Sequence, residues 1–165
     1  MNNKGFTLVE VLTVVIIVGV LTSVALPMYT RSVERSRATE AMTAIKAYND
    51  AIYAYYVSKD KCPTKFSQLI AAVGGTRNEA ETTLTTKYFQ FSITSTNTAK
   101  VPGTDCHGVL ASRVDGGKYE YKMWHPYRRG VSTQVLECAP ETASDKTNIA
   151  LCESIGYYQA SSSSM

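Results

Sequence analysis

Glu10 is a carboxylate set at the head of an apolar run, in the stretch KGFTLVEVLTVVIIVGVLTSVALPM, and residues 11 to 28 that follow it carry no charge. A carboxylate in hydrocarbon costs about 2.5–3.5 kcal/mol at a helix centre and less near the interface, so Glu10 calls for a partner. No Lys or Arg lies within helical reach on its C-terminal side. The only cation that can be made nearby is an α-amino group, released if the chain is cut between Gly5 and Phe6. Gly5 has no side chain to obstruct a protease, and the cut would leave an ammonium on Phe6, close in sequence to the carboxylate.

The other reactive residue types give weaker patterns. The four cysteines are Cys62, Cys106, Cys138 and Cys152, and the two histidines are His107 and His125. None of the cysteines forms a CxxC pair, so the close ligand pairs of a zinc site are missing. Two disulfides fit the spacing, and they belong in an oxidising compartment. Cys106 and His107 are adjacent, which in a strand points them to opposite faces rather than at one substrate. Glu141, Asp145 and Glu153 are scattered and do not make a calcium loop. Tyr48, Tyr53, Tyr55 and Tyr56 read as packing residues. Arg128 and Arg129 sit in MWHPYRRG, a basic and aromatic stretch, but two arginines supply few phosphate contacts. These patterns predict neither enzyme activity nor a cofactor or metal. A nucleic-acid ligand at Arg128 and Arg129 is carried as the alternative.

The elements that must position these residues follow from periodicity. A chain of 165 residues suits one compact domain with an appendage. The uncharged run makes roughly 27 Å of helix, close to the hydrocarbon thickness of a bilayer. A secretory signal peptide is one alternative, with a small-x-small site in SVA at 23–25, but its apolar core is usually shorter. A plain single-span anchor is another, with Lys4 on the short side and Arg31, Arg35 and Arg37 on the other flank. Neither accounts for Glu10.

The segment KGFTLVEVLTVVIIVGVLTSVALPMY closely resembles the N-terminal signature of type IV pilins and of the related type II secretion pseudopilins, over about residues 4 to 30. The resemblance implies that a prepilin peptidase removes residues 1–5 by cutting after Gly5, and that Phe6 is then N-methylated. It implies that the Phe6 amine meets a Glu10 carboxylate, its own or that of another copy, as subunits join a helical filament. Gly19 and Pro27 fall at the family's helix-weakening glycine and proline, so the segment between them is expected to lose helicity in the fibre. Pro27 also predicts a kink or local unwinding on its own chemistry, having no N–H to donate. The partners implied are further copies of the chain, the peptidase and N-methyltransferase, the inner-membrane pilus assembly machinery, and the membrane before assembly.

Beyond Pro27 the pattern becomes amphipathic. Ala38, Ala41, Ile45, Tyr48, Ile52 and Tyr55 share one helical face, opposite Arg35, Glu40, Lys46, Asn49 and Asp50. The helix is expected from about Thr7 to Val57, with 6–28 as its membrane or filament-core half and 29–57 as the half that packs on a head spanning 58–160. Alternating segments at 88–94, 108–114, 118–124 and 131–137 predict an antiparallel sheet of three or four strands. The expected fold class is α+β: a long N-terminal helix spine with the sheet packed on its second half, a pilin-like lollipop. The serine-rich end, 161–165, is expected to be disordered.

A C-terminal disulfide loop of the kind found in type IV pilins implies a Cys138–Cys152 pair, with a short helix from Asp145 to Ile155 carrying Cys152. Closing that loop is worth about 3 kcal/mol in the chain-entropy model. Cys62 with Cys106 is then the remaining pair, one of three connectivities that four cysteines allow. The implied role is a structural subunit of a surface filament serving adhesion, motility or uptake. The alternatives are a secretion pseudopilin and a minor, ligand-binding pilin.

Overall fold

In the computed structural model the described residues are 5–70, 74–94, 101, 103–114, 117–125 and 136–155. A 52-residue helix, α1 (Leu8–Lys59), opens the fold. Six strands follow, β1 (Thr76–Arg77), β2 (Thr83–Thr85), β3 (Phe89–Ile93), β4 (Val109–Arg113), β5 (Tyr121–Trp124) and β6 (Glu137–Pro140), and then a helix, α2 (Lys146–Ile155). The chain divides into two units, residues 1–34 and 35–165.

In the first unit the helix has no apolar cover. An 18-residue window of α1 has a mean hydropathy of 2.5 and none of it is buried, which makes α1 long and apolar enough to cross a membrane. The few hydroxyls in this stretch spend their protons on the helix itself. Thr13 Oγ1 donates to the Val9 carbonyl, Thr22 Oγ1 to Val18, and Ser23 Oγ to Val20, each at 2.7–2.8 Å. Hydroxyls satisfied in this way tolerate hydrocarbon. The helix continues through Gly19 and Pro27 without interruption, so the unwinding expected at Pro27 is not seen in the single subunit. The flanking turns are held by tertiary-independent i→i−4 bonds on either side, enough to carry the chain past one missing donor.

The second unit is a sheet laid on a helix face. Ala38, Ala41, Ile45, Tyr48 and Ile52 are buried, as their spacing predicts, and Tyr55 is partly so. Asn49 departs from expectation: it is buried rather than on the wet face, because its Oδ1 accepts the Val109 N–H at 3.3 Å. The helix ends where Asp60 turns left-handed (φ 51°) while its N–H still bonds the Tyr56 carbonyl. That is the usual way a helix reverses, here without glycine.

The sheet is an antiparallel meander in sequence order, β1-β2-β3-β4-β5-β6. Its inward row runs through register partners Leu84, Phe91, Ala111, Met123 and Cys138, all buried. Alternation also turns Phe89, Val109 and Tyr121, two residues away on β3, β4 and β5, into the core. Tyr48 adds ring contacts to Phe66 and Phe91 at 5.1 and 5.8 Å between centroids. The expected three or four strands are six. β1 and β2 are 2 and 3 residues long, too short for alternation to register. The last described strand is Glu137–Pro140, which meets the expected segment 131–137 at Glu137, and 131–135 lie outside the described residues. Its pairing with β5 (Met123 with Cys138) sets that position, and Pro140 is tolerated because β6 is an edge strand.

Gly75 fits where a side chain does not: a Cβ there would lie 2.6 Å from Leu84 Cδ2 and 2.9 Å from the Thr85 carbonyl oxygen. α2 begins at Asp145, whose Oδ1 accepts the N–H of Thr147 and of Asn148. Asn148, itself buried, takes the Glu120 N–H on Oδ1 and so ties α2 to the approach of β5.

Two outcomes test this packing. Ile52→Ala removes a fully buried side chain from the helix–sheet contact and should cost about 2–5 kcal/mol in denaturant or thermal unfolding of the head. His125 is buried, and burial holds its imidazole below its ordinary value, reinforced by Lys46 and opposed by Asp50. The unfolded chain therefore binds a proton that the folded chain resists. Head stability should be full above pH 7 and fall as pH drops through about 6.5, by no more than about 1.4 kcal/mol per unit. His125→Asn should flatten that slope in melts between pH 7.5 and 5.

Candidate functional site

The start of α1 holds Glu10 by a specific device. Thr7 stands at the N-cap and Glu10 three positions on. The Thr7 backbone N–H donates to Glu10 Oε2 at 2.8 Å, and Thr7 Oγ1 donates to the same oxygen at 2.8 Å. The Glu10 N–H in return donates to Thr7 Oγ1 at 3.3 Å. This reciprocal pair is a capping box, and it satisfies backbone donors that the first turn of any helix leaves without partners. The Val11 N–H bonds the Thr7 carbonyl, which closes the first turn.

Glu10 therefore has polar partners in Thr7, beside the cation that its place in the apolar run calls for. The signal was present in the sequence as Thr-x-x-Glu ahead of an apolar run, and Thr7 is the residue that sequence reasoning missed. Among the described residues, nothing bonds Oε1 of Glu10.

Gly5 and Phe6 lie just outside the box. A Cβ on Gly5 would meet nothing within 4 Å, so folding of this segment does not need glycine there. Phe6 is 88% exposed. Gly19 likewise has open space around its Cα, so no packing within the subunit selects it.

In the head, Cys62 is bonded to Cys106 and Cys138 to Cys152. The first bond pins the segment after α1 to the approach of β4, and the second fastens α2 to β6. Cys106 in a disulfide is no nucleophile, which closes the Cys106–His107 reading. Arg35 also reaches this end of the molecule, donating from Nη2 to the Ser154 carbonyl at 2.8 Å. Arg128 and Arg129 lie outside the described residues, as do residues 1–4 and 161–165. No group of three or more His, Cys, Asp or Glu side chains among the described residues is placed to hold a metal.

One comparison with known families falls on this end of the chain. Residues 1–26 match the prokaryotic N-terminal methylation motif. The chain is also similar to curated proteins over 55–61 residues. One is the type IV major pilin protein PilA of Myxococcus xanthus, 39% identical over 60 residues that make up 36% of this chain and 27% of that protein. Another is the type IV major pilin protein PilE1 of Neisseria gonorrhoeae, 40% identical over 60 residues, 36% of each. A third is the fimbrial protein EcpC of Eikenella corrodens, 40% identical over 60 residues, 36% of this chain and 39% of that one. The matches span about a third of the length of these relatives.

A long apolar helix under a methylation motif is followed by an antiparallel sheet, an α+β, pilin-like arrangement. By that motif and over about a third of its length the chain is similar to type IV pilins.

The Cys138–Cys152 bond closes a loop that carries most of α2, so its loss should loosen that helix first. Replacing both cysteines by serine should lower head stability by about 3 kcal/mol and expose the Asn148 region to proteolysis. A melt and cleavage pattern unchanged from wild type would show that the bond is dispensable.

Proposed function

We propose that the chain is a structural subunit of a type IV pilus, polymerising through the first half of α1 into a surface filament for adhesion, motility or uptake. The observation that carries this reading is the bare apolar helix, headed by Glu10, directly after a Gly-Phe pair in a matched methylation motif. The names of the similar proteins, major pilins and a fimbrial protein, support it over a secretion pseudopilin. A subunit that polymerises needs no catalytic centre.

In this reading residues 1–5 are a leader. Water is added across the Gly5–Phe6 peptide bond by a prepilin peptidase, leaving a carboxylate on Gly5 and an ammonium on Phe6. Methylation turns that group into a secondary amine, which stays cationic. The cut lies one peptide bond upstream of the Thr7 N–H, so the capping box survives it. The subunit waits in the inner membrane with residues 6–28 in lipid, while 29–57 and the head at 58–160 lie in the periplasm or outside. The assembly machinery then moves it into the filament, where like helices replace lipid. The Phe6 ammonium and the Glu10 carboxylate pair there in low dielectric, where their attraction far exceeds its value in water. Gly19 and Pro27 let the intervening helix loosen in the fibre, since glycine weakens a helix by about 1 kcal/mol and proline removes a bond.

The charge on Glu10 is testable apart from its capping role. Glu10→Gln keeps an oxygen to accept from Thr7 but cannot pair with an ammonium. Cells carrying it should hold folded, cleaved subunit in the membrane and yield few or no sheared filaments. Filaments at the wild-type level would overturn the pairing. Gly5→Val should leave the fold of the chain unchanged, since space around Gly5 is open, and block the cut. Mass spectrometry of the N-terminus reads it directly.

A further inference from the structure

Glu10 has two carboxylate oxygens, and the fold treats them differently. Oε2 receives both the backbone N–H and the hydroxyl of Thr7. Oε1 receives no bond from any described residue. The donor nitrogen is that of Thr7, not that of Phe6, so the subunit's own first turn occupies Glu10 without using the end that processing creates. An isolated carboxylate entering hydrocarbon needs donors, and a helix start entering hydrocarbon needs acceptors. The Thr7–Glu10 box meets both needs with the same two side chains. It also fixes the Glu10 side chain against the first turn, so that its remaining oxygen has one orientation rather than several.

We propose that Thr7 is a positioning residue for assembly: it holds Oε2 of Glu10 within its own subunit and leaves Oε1 as the atom that meets the Phe6 ammonium of a second copy of the chain. This rests on the pilin reading above and specifies how the carboxylate is presented in it. Because Oε2 is already occupied, pairing with the second copy adds a donor to Oε1 and does not require the first turn to unravel. A subunit lacking the Thr7 hydroxyl would hold Oε2 by the Thr7 N–H alone, a single bond about which the carboxylate can pivot. Its Glu10 N–H would also lose its acceptor. Both effects make the incoming pair harder to form without altering the charge on either partner.

The test uses the full chain in cells that build the filament, with yield expressed as filament per cleaved subunit so that any change in processing cancels. Thr7→Val is close in shape and lacks the hydroxyl; Thr7→Ser keeps it. Thr7→Ser should stay near the wild-type ratio and Thr7→Val should fall about tenfold, the scale of losing a helix cap. Hydrogen exchange of the Glu10 amide, in the membrane-embedded subunit before assembly, should quicken in Thr7→Val and stay slow in Thr7→Ser. A wild-type ratio for Thr7→Val would overturn the proposal, and so would a loss in Thr7→Ser as deep as in Thr7→Val, since packing of the methyl would then be what matters. Glu10→Gln separates the two levels: filaments at the wild-type level in that variant would sink the pilin pairing itself, whatever Thr7 does.

Discussion

The constraint on which the rest depends is apolar surface without cover. From Leu8 to Met28 the large side chains of α1 are more than half exposed. Burial of this kind of surface is the main source of protein stability, so a stretch this long and this bare has to meet an apolar surrounding elsewhere. Lipid supplies one such surrounding and parallel copies of the same helix supply another. In the proposed assembly the helix passes from the first to the second, and a polar group that either one would reject has no place on it. The hydroxyls of Thr13, Thr22 and Ser23 comply by bonding the preceding turn, and Glu10 complies through Thr7.

The head solves a different problem. It has to cover a six-stranded antiparallel sheet with one helix face, on which Ala38, Ala41, Ala44, Tyr48 and Ile52 are all buried. Two disulfides hold the places where this cover runs out, after α1 ends and where α2 meets the edge strand β6. Asn49 is a polar residue on the buried helix face, and its Oδ1 is spent on the Val109 N–H.

Much of this was legible from residue order because the signals were long. The apolar run, the stripe from Ala38 to Ile52 and the alternations around Phe91, Ala111 and Met123 each repeat several times, and all appear where their periods place them. The pairing of the cysteines also follows the expectation. What escaped was short or set by tertiary contact. β1 and β2 have too few residues for a period, and Gly75 is explained only by Leu84 closing over it. Asn49 looked polar and therefore wet, and only the position of the Val109 N–H reverses that. The start of the helix is the instructive case. Glu10 was conspicuous as a charge in an apolar run, and that drew attention from Thr-x-x-Glu, a local motif whose chemistry needs no other chain.

The central claim is that the bare half of α1 is cut free at Phe6 and buried among copies of itself. Electron microscopy of sheared surface filaments, with mass spectrometry of the protein they contain, tests it most directly. The account predicts filaments whose main component is this chain beginning at N-methylated Phe6. Filaments built from another protein, or a chain that still begins at Met1 inside them, would contradict it.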